Sequence, residues 1–152
     1  MVQSGPRSSN LRLRKTFTDA DRDRFLDEAF AYTARLFENS LAELGKRNRN
    51  VEGRFRQLDG TRFTAVIYES GATRAQCTIS LGGSFGRGIS YSNAVGGSGN
   101  SYNEMLTVEH DEQHLYLKAM GMWMMGSERN AQLSAEGAAE YFWFMLIEPL
   151  QQ

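Results

Sequence analysis

Two histidines, His110 and His114, stand four residues apart in the sequence HDEQH, the spacing at which one face of a zinc-binding helix presents two ligands. Asp111 occupies the place of the glutamate that would act as general base, and the flanking residues alternate as in a hairpin. No third ligand is evident nearby beyond Asp111 and Glu112. The sequence therefore favours a solvated turn and predicts no metal site, with zinc bound between the two histidines as the alternative.

A glycine-rich stretch, residues 81–105, holds seven of the fifteen glycines and invites comparison with phosphate-binding loops. A P-loop requires a lysine that reaches the terminal phosphates, and Ile89 occupies that position. A dinucleotide fingerprint requires a third glycine followed by a helix, and here Tyr91 is followed by a strand-like pattern. We therefore expect two loose connections around one strand, with Arg87 as the charged residue able to contact an anionic ligand.

Cys77 is the single cysteine, and it lies in the middle of an alternating segment on the side of the apolar residues. A free cysteine in such a place behaves as a small buried hydrophobe. With two histidines in the whole chain, a Cys–His nucleophile pair is not favoured. We predict no catalytic residue and no cofactor.

Arginine outnumbers lysine by fourteen to three, and several arginines fall on predicted strands. Alternation places Arg54 and Arg56 on one face of the first strand, and Arg62 shares a parity with Tyr68. Such a face could bind a nucleotide or an acidic partner by stacking and bidentate hydrogen bonds, and a solvated outer face is the alternative. The predicted ligand-binding residues are Arg54, Arg56, Arg62 and Arg87.

The segment MGMWMMG, residues 120–126, holds four of the seven methionines and one tryptophan. Flexible, polarizable side chains around a tryptophan are typical of adaptable contact surfaces, and they also serve as core filler. We predict a protein interface, formed with a second copy or another protein. Its candidate residues are Met120, Met122, Trp123, Met124 and Met125, together with Phe142 and Phe144 of the last helix.

The first element of the framework that positions the candidate residues is a long amphipathic helix, predicted over 18–45. Apolar residues recur there at steps of three and four, which is the helical period. Thr18 is expected to cap the helix, with Asp19 and Asp21 favourably placed in the first turn. Gly45 is expected to end it in a left-handed conformation.

After residue 50 the period changes from helical to alternating, which predicts an antiparallel meander of six strands. We expect strands near 51–58, 61–69, 72–81, 87–95, 102–110 and 114–121. Turn residues separate them at 59–60, 70–71 and 111–113. A last helix begins near Ser134 and ends by Pro149, and its apolar run 141–147 must be buried. The predicted fold class is α+β, with both helices packed on one sheet face.

Composition narrows the possible partners of this chain. Its length suits one domain, which we place at 16–152 after a flexible leader at 1–15. A formal net charge of -1 argues against nonspecific nucleic-acid binding. No apolar run approaches the ~20 residues that span a membrane, and the first ten residues do not form a secretory signal. A single cysteine fits a reducing compartment, so we expect a cytoplasmic protein.

Three segments, 17–48, 54–71 and 133–151, carry a resemblance to a known family. They resemble a C-terminal region that accompanies Toll/interleukin-1 receptor (TIR) domains in some bacterial proteins thought to act in immunity. The resemblance spans residues 15 to 151 and rests on overall pattern. It implies a sensing, regulatory or assembly module beside a nucleotide-cleaving effector. The TIR domain itself, with its catalytic glutamate, is absent, so the resemblance assigns no catalytic residue here.

The failed catalytic motifs and the abundant apolar residues together favour a non-enzymatic module. We expect it to sense a ligand or protein, or to self-associate, in a bacterial defence setting. The alternative is a binding protein or enzyme for a small nucleotide-like anion. Its pocket would lie between sheet and helices, where Arg54, Arg87 and the glycine-rich connections close over the ligand.

Overall fold

The structure is a computed structural model that describes residues 5–82, 87–94, 103–120 and 132–151. Within these ranges the elements follow the order helix, seven strands, helix, and the α+β class predicted from the sequence is confirmed. The helices are α1 (Asp19–Arg47) and α2 (Ala135–Ile147), the latter followed by a 3-10 turn (Glu148–Leu150). The strands are β1 (Val51–Asp59), β2 (Arg62–Glu69), β3 (Ala72–Leu81), β4 (Gly88–Ser92), β5 (Glu104–His110), β6 (Leu115–Ala119) and β7 (Gln132–Leu133).

The start of α1 is fixed by a reciprocal pair of hydrogen bonds. The Thr18 hydroxyl accepts from the backbone N–H of Asp21 at 3.0 Å, and the Asp21 carboxylate accepts from the backbone N–H of Thr18 at 2.9 Å. This capping box satisfies two backbone donors that the helix itself cannot. The predicted role of Thr18 as the N-cap is confirmed.

The end of α1 lies two residues beyond the predicted one. Gly45 remains helical, the helix continues to Arg47, and Asn48 then takes an extended conformation. The Asn48 side-chain amide donates to the carbonyl of Leu44 at 2.9 Å. Because a side chain satisfies this carbonyl, the helix ends without a left-handed glycine, and the prediction for Gly45 was wrong.

In the described part of the chain, the seven strands form one antiparallel sheet in sequence order, with β1 and β7 at its edges. The turn at Ser70 and Gly71 has positive φ at both residues, 53° and 83°, which matches the right-handed twist of a tight hairpin. The sequence predicted six strands and missed β7, which is two residues long and is defined by its pairing with β6. So short a segment has no alternation to detect.

Both helices pack on one face of the sheet, which we call the helix face; the other is the outer face. On β2, Phe63, Ala65 and Ile67 are fully buried against the helices. The helix α1 crosses β1 so closely that a Cβ atom on Gly53 would lie 2.8 Å from the Cβ of Leu41. Among the described residues, the largest fully buried side chains are Phe37, Phe63, Phe142, Leu41, Ile67, Ile79, Ile89, Met105, Leu106, Leu117, Leu146 and Glu104.

The helix α2 begins where the sequence predicts, because Ser134 caps it by accepting from the backbone N–H of Gly137 at 3.1 Å. Most of its apolar run is buried in the core of this chain. Phe144 is the exception in this run, with about half of its surface exposed (51%). Among the described residues, none of the helices is long and apolar enough to cross a membrane.

The last residues of the predicted leader contact the end of the sheet. The backbone N–H of Lys15 donates to the carbonyl of Glu112 at 2.8 Å, and Arg14 forms an ion pair with the Glu112 carboxylate at 2.9 Å. The Gln113 side chain donates to the carbonyl of Leu13. These contacts join the segment before α1 to the β5–β6 turn.

Candidate functional site

A shallow cleft on the outer face brings together two of the predicted ligand-binding arginines. Register places Arg54 opposite Val66 and Arg56 opposite Thr64, so the two guanidinium groups share one face. The cleft has a volume of about 230 Å³. Its lining residues are Arg54, Arg56, Thr64, Val66, Tyr68, Thr73 and Gln76.

The arginines of this sheet differ in whether a carboxylate already neutralises them. Arg62 pairs with Asp59 at 3.4 Å, and Arg74 pairs with Glu69 at 3.0 Å. Within the described residues, Arg54 and Arg56 form no ion pair or hydrogen bond with another side chain. The structure therefore leaves the cationic charge of the cleft available, whereas Arg62 is engaged at the β1–β2 turn.

Arg87, the fourth predicted ligand-binding residue, is held on the other side of the sheet. Its Nε atom donates to the Asp23 carboxylate at 2.8 Å, and its Nη1 atom lies 3.6 Å from the carboxylate of Asp19. Both acids belong to α1. The hydrogen bond to Asp23, followed by the charges of the two acids, raises the pKa of Arg87 above its ordinary value. The structure does not bring Arg87 together with Arg54 and Arg56.

A larger groove is bounded by the last turns of α1, the start of β1 and the turn between β2 and β3. Its volume is about 720 Å³, inside the range of about 300–1,000 Å³ common for ligand sites. Arg54 and Tyr68 line both this groove and the outer-face cleft. The other residues that line it are Leu41, Ala42, Gly45, Arg49, Asn50, Val51, Glu52, Gly53, Ser70 and Gly71.

A third depression, of about 450 Å³, lies between the end of the sheet and α2. Tyr91, Met145 and Leu146 form its apolar part, and Asn93, Asn103 and Arg74 contribute polar groups. The alternative hypothesis placed Arg54 and Arg87 in a pocket between sheet and helices. Neither residue lines this one, and its cation, Arg74, is paired with Glu69.

Cys77 lies in the core on the helix face of β3, with no exposed surface. Burial raises the pKa of its thiol far above the ordinary value, because a low-dielectric environment penalises the thiolate. Burial is also the main cause that raises the pKa of the neighbouring Tyr91 phenol. Since the thiolate is the nucleophilic form, the environment of Cys77 is that of an inert core residue.

The two histidines flank the β5–β6 turn, and Asp111 organises that turn. The Asp111 carboxylate accepts from the backbone N–H groups of Gln113 and His114, both at 2.7 Å, and these bonds lower its pKa. His110 stands opposite Leu115 in the sheet register and packs against the ring of Phe17 at 5.7 Å. In the part of the chain that the structure describes, no cluster of three or more His, Cys, Asp or Glu could hold a metal ion.

The predicted interface residues separate into three groups. Met120 and Phe144 are about half exposed, at 53% and 51%. Phe142 is fully buried and stacks on Tyr91 at 5.7 Å, so it packs the core of this chain instead of contributing surface. Met122, Trp123, Met124 and Met125 lie outside the described residues.

Sequence reasoning missed a buried acidic residue, Glu104. The Glu104 carboxylate accepts a hydrogen bond from the Tyr141 hydroxyl of α2, and Glu104 is fully buried on the helix face. The signal was present in the sequence, because Glu104 shares its parity in β5 with the apolar Leu106 and Val108. A carboxylate at an inward position needs hydrogen-bond partners, and α2 supplies one.

Comparisons with known proteins match most of this chain. The family model described as the Y4lF protein domain matches residues 52–148, which include β1 to β7 apart from Val51, and α2. The chain is 53% identical over 148 residues to a protein of Sinorhizobium fredii described as uncharacterized protein y4lF. That alignment covers 97% of this chain and 46% of the relative, so the chain spans about half of the relative's length. No solved structure matches the chain.

Proposed function

The chain belongs to the Y4lF domain family, and we propose that it is a non-enzymatic recognition module that binds an anionic ligand on the outer face of its sheet. The observation that carries this proposal is the pair of arginines, Arg54 and Arg56, which share one face without a carboxylate partner among the described residues. An unpaired guanidinium fork binds phosphate or carboxylate in a bidentate manner.

The rest of the cleft suits the same kind of ligand. Thr64 and Thr73 supply hydroxyl groups, Gln76 supplies an amide, and the half-buried ring of Tyr68 offers a face for stacking. A nucleotide combines anionic phosphates with a planar base. Its phosphates would bind the arginines, and its base would stack on Tyr68.

We extend the proposal to a regulatory role beside a second region of a longer protein. More than half of the Sinorhizobium relative lies outside the matched segment, which leaves room for another domain. The resemblance to regions that accompany TIR domains makes a TIR effector our proposed companion, in a cytoplasmic bacterial defence protein. Determining the structure of the remainder of the relative tests this part, and a fold other than TIR there contradicts it.

A ligand screen with charge-reversed variants tests the binding site. We expect pyrophosphate, a nucleotide or a cyclic nucleotide to raise the melting temperature, since a ligand at about a hundred times its Kd stabilises a protein by about 2.7 kcal/mol. Arg54→Glu and Arg56→Glu should each weaken that binding about ten-fold or more. The control is Arg35→Glu, an exposed arginine of α1 outside the cleft.

Two results would contradict the proposed site. One is the absence of any stabilisation across the panel. The other is equal loss of binding in Arg35→Glu and in the two cleft variants, which would indicate attraction by overall charge alone.

A second candidate function, self-association, is favoured by the exposure of Phe144. This ring lies on a helix whose neighbouring residues, Phe142, Trp143 and Met145, are buried in the core. With Met120 it exposes apolar surface of the kind found at protein interfaces. Sedimentation analysis should then show a concentration-dependent dimer that Phe144→Ser weakens, and a monomer at all concentrations would exclude this function.

A further inference from the structure

The strand β1 lies at an edge of the sheet, and its register shows which of its backbone groups point away from β2. The carbonyl of Asn50 accepts from the backbone N–H of Ser70 at 2.7 Å, so residues 50 and 70 form a hydrogen-bonded pair. Such pairs alternate along an antiparallel ladder, which makes Gly53–Ile67 and Phe55–Ala65 non-hydrogen-bonded pairs. The N–H and C=O groups of Gly53 and Phe55 therefore face the free edge.

The groove at the start of β1 borders the first part of this strand, including Gly53. On the helix side it is lined by Leu41, Ala42 and Gly45 of α1. On the outer side it is bounded by Arg54 and Tyr68.

The charges around the groove select the chemistry of its occupant. Arg49 and Arg54 line it, and Arg56 follows on the same outer face as Arg54. Glu52 is the one carboxylate among the groove's described lining residues. Two copies of the chain paired through β1 would bring their arginines onto one continuous face, where like charges repel. An acidic strand would instead complement the surplus of positive charge.

We propose that the free edge of β1 binds an extended acidic peptide by strand addition. The peptide adds a strand antiparallel to β1, and its main chain bonds to the N–H and C=O groups of Gly53 and Phe55. Its side chains alternate, with carboxylates opposite Arg54 and Arg56 on the outer face and small apolar residues towards Ala42 and Gly45. This inference goes beyond the proposed anion cleft, because the backbone of β1 forms the new site.

A synthetic peptide of eight residues in which Val and Glu alternate provides the probe. Residues directly opposite each other share a face, so the Val residues stand opposite Gly53 and Phe55 and direct their N–H groups at β1. We expect fluorescence anisotropy to detect binding of this peptide. N-methylation of its Val residues should abolish binding, whereas N-methylation of its Glu residues, whose N–H groups point away from β1, should retain it.

Amide hydrogen exchange locates the contact on the protein itself. In the free protein the N–H groups of Gly53 and Phe55 should exchange rapidly, and the bound peptide should slow them by at least about ten-fold. Arg54→Glu and Arg56→Glu should each weaken peptide binding about ten-fold. The control is Lys118→Glu, an exposed cation on the distant strand β6, which should leave binding unchanged. A peptide with Lys in place of Glu should not bind.

Three outcomes would overturn the inference: no binding of the Val–Glu peptide at millimolar concentration, equal binding of the two methylated peptides, or unchanged exchange at Gly53 and Phe55. A dimer of the chain that slows the exchange of these amides without peptide would overturn it too, since β1 would then pair with a second copy. Failure here is distinguishable from failure of the anion cleft, which is read from the melting temperature with nucleotides and involves no backbone group of β1.

Discussion

Arg87 donates a hydrogen bond from Nε to the carboxylate of Asp23 across 2.8 Å, although the two residues are 64 positions apart in the chain. The guanidinium also lies within 3.6 Å of Asp19, so it bridges two acids near the start of α1. This contact joins the residue that precedes β4 to the first helix. It also engages the side chain of Arg87, which the sequence had predicted to contact an anionic ligand.

We predict that Arg87→Ala leaves anion binding unchanged while it lowers stability slightly. The stability effect is small because all three side chains are largely exposed and solvent screens their attraction. A double-mutant cycle with Asp23→Asn, measured by urea unfolding, should show a favourable coupling that decreases when salt is raised from 0.05 to about 1 M. Loss of anion binding in Arg87→Ala, comparable to that in Arg54→Glu, would contradict this assignment.

The close approach of α1 to β1 gives a prediction about Gly53. A Cβ atom there would lie 2.8 Å from both the Cβ and the carbonyl oxygen of Leu41, so Gly53→Ala must displace the helix. We expect it to lower the free energy of unfolding by about 1–3 kcal/mol. Gly60→Ala is the matched control, because no atom lies within 4 Å of a Cβ built at that turn position, and it should be close to neutral. Equal effects of the two substitutions in urea unfolding would refute the close packing.

The periodic elements of this fold follow from local chemistry, and the sequence predicted them for that reason. The helix start at Thr18 depends on residues within one turn, and the β2 alternation depends on a face that is buried throughout its length. The predicted helix end at Gly45 was wrong, and β7 was not predicted, because both features depend on other parts of the chain. The Asn48 side chain determines the helix end, and pairing with the edge of β6 defines a strand of two residues.

The candidate site was predictable in part for a similar reason. Alternation alone places Arg54 and Arg56 on one face, and the structure confirms that arrangement. Whether an arginine is neutralised depends on which carboxylate the fold brings beside it. The sequence alone therefore does not distinguish Arg62 and Arg87, which form ion pairs with Asp59 and Asp23, from Arg54 and Arg56, which are unpaired within the described residues.

The capping box predicts a pH-dependent contribution to stability. Hydrogen bonds from the backbone N–H and the hydroxyl of Thr18 lower the pKa of Asp21 below its ordinary 3.8. A carboxylate with a lowered folded-state pKa stabilises the fold above its unfolded-state pKa, and the contribution is lost as the pH falls through the folded-state pKa. Asp21→Asn should therefore destabilise at pH 7 and have little effect at the acid end of this window.

The same cap predicts how much stability is lost when Thr18 is replaced. Thr18→Ala should lower the free energy of unfolding by about 1 kcal/mol at pH 7, the usual cost of losing a threonine cap. Asp27→Asn, on the exposed side of the same helix, serves as the control for removing an acid from α1. If urea unfolding at pH 7 and at pH 2.5 gives the same difference between Asp21→Asn and the unaltered protein, the carboxylate does not act through this cap.

The buried contact between Glu104 and Tyr141 gives the last prediction. Tyr141→Phe removes a donor from a carboxylate that is fully buried, and we expect the free energy of unfolding to fall by about 1–3 kcal/mol. Tyr116→Phe is the control, since the Tyr116 hydroxyl makes no hydrogen bond within the described residues and its ring is half-buried on β6. In a cycle with Glu104→Gln, the double variant should lose less stability than the sum of the single losses, because both changes disrupt one contact. Additive losses would show that the hydroxyl and the carboxylate stabilise the core independently, each through other neighbours.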